Sequence, residues 1–340
     1  MNAWKLRFSM VGTLAVIFGL STLVFTAVLT LAGIGLSIIT IGMLVVIFNI
    51  AQWLFSPYLV GAIYKAKEVD PKENPELQQM VEQLSLKSKI KPPKLMLAQI
   101  PMPNAFAYGS PLTGNRVAVT QGLLKSLDKG EVEAVIGHEL GHLKHRDVQV
   151  MMTVSFLPSL FYFIGYSLMF SGMFGGRDSR SSSNNDSSAI IGIAFMAFSW
   201  ILNMFTLYLS RLREYYADRH SASIVENGAE KLSTGLVTII NESKNQNQYR
   251  RAHNRGREEQ KTNTSFKALF ISDPDRAEAD SEELHANGFI DKKALLKETL
   301  SKEMTGADKF AEIFSTHPNI IKRLRALQEQ EQAQVQTVVA

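Results

Sequence analysis

The 57 residues from Phe8 to Tyr64 contain no Asp, Glu, Lys, Arg or His. As one helix such a run would be roughly 85 Å long, whereas a membrane span needs only about 20 residues to cross ~30 Å of hydrocarbon. Two spans therefore fit within residues 8–64, with a hairpin near "LAGIGL" at Leu31 to Leu36. A secretory leader has an apolar core of about 7 to 15 residues and a small-residue cleavage site. This run is far too long for that, so an uncleaved anchor is expected.

Two further apolar stretches, Val148 to Gly176 and Ala189 to Leu209, flank the polar segment "RDSRSSSNNDSS" at 177–188. They read as a second membrane hairpin over 148–209, Pro158 being tolerated as a kink; the alternative is a pair of buried core helices. Lys5, Arg7, Lys65, Lys67, Lys144, Arg146, Arg211 and Arg213 flank the four stretches on one side. The opposite connections carry no charge or balanced charge. The positive-inside bias then puts the soluble sections, 65–147 and 210–340, on the cytoplasmic side of a multi-pass protein of the cell (inner or plasma) membrane.

The chain has no cysteine. Disulfides and thiolate ligands are excluded, and any metal must be held by His and carboxylates. The formal net charge of +4 comes largely from membrane-flanking residues, so no nucleic-acid partner is expected. "RRAHNRGR" at 250–257 reads as a solvated loop able to meet anionic headgroups.

In the first soluble section "PELQQMVEQLSLKS" has helical spacing, apolar at Leu77, Met80, Val81 and Leu84. "KLMLAQI" and "RVAVT" read as short strands, with turn residues "YGSPLTGN" between them. The second section reads as mainly helical, with a mobile polar stretch from Asn241 to Thr264. Neither section has enough core alone, so the two must pack together. The expected fold is a mainly α integral membrane protein, about four transmembrane helices plus a cytoplasmic α+β domain with a small sheet.

Chemistry concentrates in "AVIGHELGHLKHRD", residues 134–147. On a helix, residues four apart share a face, so His138 and His142 can reach one ion. Asp128 with Glu131 three residues on predicts a capped helix start, and Val132, Val135, Ile136 and Leu140 give it an apolar stripe. Catalytic zinc takes three protein ligands and keeps one position open. Glu139, next to the first histidine, can serve as general base toward water, the logic of H-E-x-x-H. A surface helix with two histidines would spell the same pattern. A later segment, "SRLREYYADRHSA", weighs against that, because Glu214 and Asp218 are again four apart and both segments adjoin apolar stretches. Glu214 is expected to coordinate the metal, and Asp218 to accept from one imidazole and fix its tautomer. The alternative is that the two acids merely pair with Arg211, Arg213 or Arg219.

With these motifs in hand, the chain resembles the HtpX-type membrane zinc metallopeptidases, gluzincins related to the CAAX prenyl endopeptidases. The resemblance rests on the paired N-terminal apolar stretches, "PNAFAYG" at Pro103 to Gly109, "HELGHLKHRD", a second apolar pair, "EYYAD", and "STHPNIIKRL" at Ser315 to Leu324. The polar stretch 241–264 and the segment Asp280 to Gly306 look longer than that family's usual connections. The resemblance implies a zincin-like domain with one Zn²⁺ per subunit on His138, His142 and Glu214, Glu139 as base, and polypeptide substrates, above all damaged membrane proteins in a stress response. It places "STHPNIIKRL" beside the site, making His317 and Arg323 candidate donors to the oxyanion, with Tyr215 and Tyr216 as rivals. His317 also reads as part of a helix-starting turn with Pro318 at the first helical position. Asn104, Ala105, Phe106 and Ala107 resemble the cleft-edge strand that holds an extended substrate through its main chain; otherwise Phe106 simply fills core. Cobalt or manganese would suit the same ligands. A CAAX-type prenyl protease and an inactive zinc-binding scaffold are the competing functions. Four spans count against the first, and an intact Glu139 against the second.

Overall fold

The computed structural model describes residues 38–174, 182–253 and 292–339. The first expected span, the Leu31 to Leu36 hairpin and the second half of "RRAHNRGR", residues 254–257, lie outside these residues. The described residues fall into two compact units, those within 1–53 and 150–208 in one and those within 54–149 and 209–340 in the other.

The described helices of the first unit are long and apolar. Helix α1 is Ile38–Ile63, with Pro57 inside. Further along the chain, one helix covers Asp147–Phe174 with Pro158 inside, and another Ser182–Ile224, 43 residues long. Part of the segment read as a polar connection, 182–188, is thus helical. In this unit Ser199 Oγ donates to Pro158 O at 2.6 Å. A Cβ added to Gly165 would lie 2.6 Å from Gly192 O, so the two helices meet backbone to backbone there. Ile190, Ile193, Trp200 and Phe205 stay exposed. Among the described residues one helix, Ala189–Ile224, is long and apolar enough to cross a membrane. It is longer than the ~20 residues a bilayer needs, and its charged part begins at Arg211, so its apolar length ends at Leu209.

The second unit is built on a four-stranded sheet with order β1-β2-β4-β3. The strands are β1 (Ala66–Glu68), β2 (Lys94–Ala98), β3 (Ala105–Ser110) and β4 (Gly114–Thr120). β2 and β4 are parallel, with Leu95 opposite Val117; β3 runs antiparallel to β4, with Ala105 opposite Val119. β3 lies at one edge of the sheet. Because strand side chains alternate between faces, Leu95, Ala105, Val117 and Val119 enter the helical core. Met96, Phe106, Tyr108 and Ala118 pack instead with Val60 of α1 and with Tyr64 just after it.

Helix α2 (Pro75–Ser88) sits on the first of these faces, followed by the short α3 (Gln121–Ser126) and by α4 (Lys129–Lys144). Next come α5 (Asp147–Phe174), α6 (Ser182–Ile224), α7 (Gly228–His253), α8 (Lys292–Ser301), α9 (Gly306–Ile313) and α10 (Ile320–Val339). Leu232, Leu236 and Ile240 of α7 and Ile321 and Leu324 of α10 share one core with Val135, Ile136 and Leu140 of α4.

Two expectations change here. The first half of the polar stretch, from Asn241, continues α7 as helix to His253, while 254–264 lie outside the described residues; a helix needs only one apolar stripe, and Ile239 and Ile240 anchor it in the core just before that stretch begins. Pro318 is not the first residue of α10. The helix starts at Ile320, and Asn319 opens it by accepting from Ile321 N at 2.9 Å, as an amide side chain does at a helix N-terminus.

Candidate active site

Helix α4 carries "HELGH" and is firmly started. Asp128 Oδ1 accepts from Glu131 N at 2.9 Å and Glu131 Oε2 accepts from Asp128 N at 3.0 Å, a reciprocal capping box. Lys292 Nζ adds an ion pair to Glu131 at 2.7 Å. The helix approaches α6 through glycines that precede each histidine. A Cβ on Gly137 would lie 3.1 Å from Ser221 Oγ, and one on Gly141 3.0 Å from Ala217 Cα. Ser221 Oγ also donates to Ala134 O at 2.6 Å. The spacing that aligns the histidines therefore aligns the glycines, and the face bearing His138 and His142 comes up against Glu214 and Asp218.

His138, His142 and Glu214 each offer a ligand atom, all within 4.8 Å of one another. The two Nε2 atoms are 3.2 Å apart. Glu214 Oε2 is 3.8 Å from His138 Nε2, and Oε1 is 3.5 Å from His142 Nε2. Both Nδ1 atoms face carboxylates: His138 Nδ1 is 2.9 Å from Asp218 Oδ1, close but poorly aligned for a hydrogen bond, and His142 Nδ1 is 2.6 Å from Asp147 Oδ2.

A neutral imidazole that keeps its proton on Nδ1 presents a bare lone pair at Nε2. Two such lone pairs converge with Glu214 Oε2, which is buried and makes no well-aligned hydrogen bond. A divalent cation satisfies all three atoms at once, and nitrogen and carboxylate donors suit zinc with a fourth position left open. The residues present fit the metal.

The surrounding charges reinforce that field. Burial works against the Glu214 charge, yet His317, Arg323 and His142 hold its carboxyl well below the usual range. Asp218 is likewise buried and is held low by Arg323 and His138. For His142, burial favours the neutral ring, but the Asp147 hydrogen bond and the charges of Glu214 and Glu139 outweigh it and raise the pKa. Negative charge that would protonate an imidazole attracts a divalent cation equally well. Arg323 donates from Nε to Asp218 Oδ2 at 2.9 Å and from Nη2 to Oδ1 at 2.6 Å, and its Nη1 is 3.3 Å from Glu214 Oε2.

Glu139 is buried at 3% exposure between the two histidines. His317 Nδ1 is 3.1 Å from Glu214 Oε2, and neither ring nitrogen makes a well-aligned hydrogen bond. The turn that carries His317 is held by Arg211 Nη1, which donates to the carbonyls of Glu312, Ile313 and Ser315 at 2.8–3.0 Å. Tyr215 is partly buried, and burial with the Glu312 charge keeps its phenol protonated up to about 12; Tyr216 is exposed. His145 and His220 stay out of the cluster, His220 Nε2 meeting Ser88 Oγ at 2.9 Å. Asp218 pairs with Arg323 rather than with Arg211, Arg213 or Arg219.

Asn104 to Ala107 lead into and form β3. Asn104 N donates to Thr120 Oγ1 at 2.9 Å, and Phe106 is buried with its ring 4.8 Å from that of Tyr64. The edge position and the core-filling side chain, alternatives in the sequence, coexist.

Sequence reasoning missed Asp147. Helical periodicity looks three or four residues along, whereas Asp147 is five beyond His142. It returns to the ring because α4 stops at Lys144 and Arg146 turns the chain at φ 54.

The profile of peptidase family M48 matches residues 71–331. A protease HtpX homolog from Thermoplasma acidophilum is 37% identical over 305 residues, 87% of this chain and 88% of the relative. A protease HtpX homolog from Aeropyrum pernix is 36% identical over 320 residues, 94% of each. Among solved structures, S. mikatae Ste24p aligns with a TM-score of 0.54 at 15% identity, covering 96% of this chain and 66% of that one. That last likeness is one of fold, and the chain spans just under two thirds of that protein's length.

Proposed function

We propose, since the chain belongs to peptidase family M48, that it is a membrane-embedded zinc endopeptidase hydrolysing peptide bonds of damaged or misfolded membrane proteins at the cytoplasmic face. The observation carrying this reading is the convergence of His138, His142 and Glu214 ligand atoms within 4.8 Å. The relatives' designation as HtpX proteases supports the peptidase activity, and the resemblance carried by the motifs implies the membrane setting and a quality-control role under stress. Four spans, in hairpins over 8–64 and 148–209, would hold catalytic sections 65–147 and 210–340 at the inner surface of the cell membrane. The helix Ala189–Ile224 and the lysines and arginines at the ends of the apolar stretches support that topology.

His138 Nε2, His142 Nε2 and the Glu214 carboxylate would hold the zinc ion. When bound, zinc supplies Lewis acidity toward a water and toward the scissile carbonyl oxygen. Glu139 takes the proton that the attacking water loses and passes it to the leaving amine nitrogen, so no covalent enzyme intermediate forms. Asp218 keeps the His138 proton on Nδ1. Arg323, bound to both Asp218 and Glu214, fixes these carboxylates and offsets their charge. It therefore acts through them rather than on substrate. His317, with a ring nitrogen left over beside Glu214, donates to the oxygen that becomes negative on the substrate. β3 offers its outer edge to an extended polypeptide, a mode that reads little side-chain information and suits unfolded substrates.

The test is purification in detergent with zinc, followed by an unfolded casein-like substrate. The wild type should bind one zinc and cleave; Glu139→Gln should keep the zinc and lose turnover by about 100-fold or more. Cleavage that persists in Glu139→Ala would remove Glu139 as the base. Stoichiometric zinc without turnover on any substrate would make the protein a scaffold, and unchanged zinc in Glu214→Ala would remove that ligand.

A further inference from the structure

The two histidines have matching surroundings. Behind His138 stand Asp218 and then Arg323; behind His142 stand Asp147 and then Arg213. Asp147 Oδ2 is 2.6 Å from His142 Nδ1, and its other oxygen, Oδ1, is 3.0 Å from Arg213 Nε. All three side chains are largely buried, with 5% of the Asp147 side chain and 16% of the Arg213 side chain exposed. The geometry points to Asp147 as a positioning residue for His142, braced by Arg213, so that zinc affinity depends on the carboxylate that closes the "HELGHLKHRD" run, a residue to which helical spacing gives no role. This rests on the zinc reading of the site.

The physical reason is directional. An imidazole can present either nitrogen and can turn about its side-chain bonds; a carboxylate on Nδ1 keeps the proton there, holds the ring plane, and makes Nε2 more basic. Arg213 precedes Glu214 in the chain, so one stretch of α6 supplies a metal ligand and braces the partner of another. The backbone at Arg146 supports the same reading. A non-glycine residue held at φ 54 carries a conformational cost, and the turn it makes brings Asp147 back to His142.

A bland alternative exists: Asp147 is the first residue of α5, and an acid there favours the start of a helix. Asn keeps the shape but lacks the charge, whose loss costs an exposed helix start little. Zinc dissociation constants of the full-length protein in detergent, measured by competition with a chromophoric chelator, separate the two. Asp147→Asn should raise the constant about 10-fold and Asp147→Ala by 10–100-fold, with the melting temperature of the zinc-free Asn variant near that of wild type. Arg213→Met should fall between wild type and Asp147→Ala. Wild-type zinc affinity in Asp147→Asn, with Asp147→Ala altering only the melting temperature, would reduce Asp147 to a helix starter and overturn the proposal. Failure of the underlying reading looks different, because zinc uptake would then be absent from wild type or indifferent to His142→Ala, and Asp147 would lose its role with it.

Discussion

Arg323 closes on Asp218 with two parallel hydrogen bonds, Nε to Oδ2 at 2.9 Å and Nη2 to Oδ1 at 2.6 Å. The fork is nearly inaccessible to water, Arg323 being 2% exposed. Removing one member of a buried ion pair leaves the other charged and unsolvated, typically at a cost of about 3–5 kcal/mol. Arg323→Met should therefore lower the melting temperature sharply and reduce zinc content, since Asp218 and Glu214 would face each other uncompensated. Arg323→Lys restores the charge without the fork and should recover only part of both. Melting in detergent and elemental zinc analysis check this; a wild-type melting temperature in Arg323→Met would refute it.

His220 predicts a pH dependence. Burial, with help from the nearby charges of Lys144, His145 and His138, depresses its pKa from 6.5 to about 4. The folded state therefore keeps it neutral while the unfolded chain takes up a proton first. Its contribution is fully present above about pH 6.5 and is lost as pH falls toward 4, up to about 3 kcal/mol in all. Zinc-free wild type should destabilise more steeply between pH 6.5 and 4.5 than zinc-free His220→Gln. Parallel slopes for the two proteins would count against it.

Gly141 sets how closely α4 and α6 approach. A Cβ there meets Ala217 Cα at 3.0 Å, a backbone contact that yields only if the helices part. Gly141→Ala should destabilise by about 1–3 kcal/mol and weaken zinc binding as His142 moves away from Glu214. Gly130→Ala is the control. Its Cβ meets the flexible end of Lys231 at 3.1 Å, and the gain in helix propensity is up to about 1 kcal/mol, so zinc binding there should be unchanged.

Arg146 lies in the left-handed region, φ 54, which costs an L side chain about 1–2 kcal/mol. Glycine pays no such cost in the folded state but loses more entropy on folding. Arg146→Gly should therefore keep zinc affinity and leave the melting temperature equal or slightly raised, whereas Arg146→Val should lower both. Calorimetry of the zinc-bound and zinc-free forms reads the two effects.

Local patterns were legible in the chain before any coordinates. Four-residue spacing made one helix face of His138 and His142, because that period is set by backbone geometry alone. The Asp128 and Glu131 cap, the apolar stripe of α4 and the strands of β2 and β4 are interactions between near neighbours and left their mark in the same way. Glu214 and Asp218 were legible as a pair by the same rule. Tertiary structure alone decided what met what: Asp147, five residues on and off the helical period, behind His142, Arg323 on Asp218, Arg211 on the turn bearing His317, helix to His253 where polar residues after Asn241 suggested mobile chain. Spacing along a helix survives in sequence because it depends on residues a turn apart, while these meetings depend on glycine-sized clearances and one left-handed residue, whose effect appears only when distant segments pack.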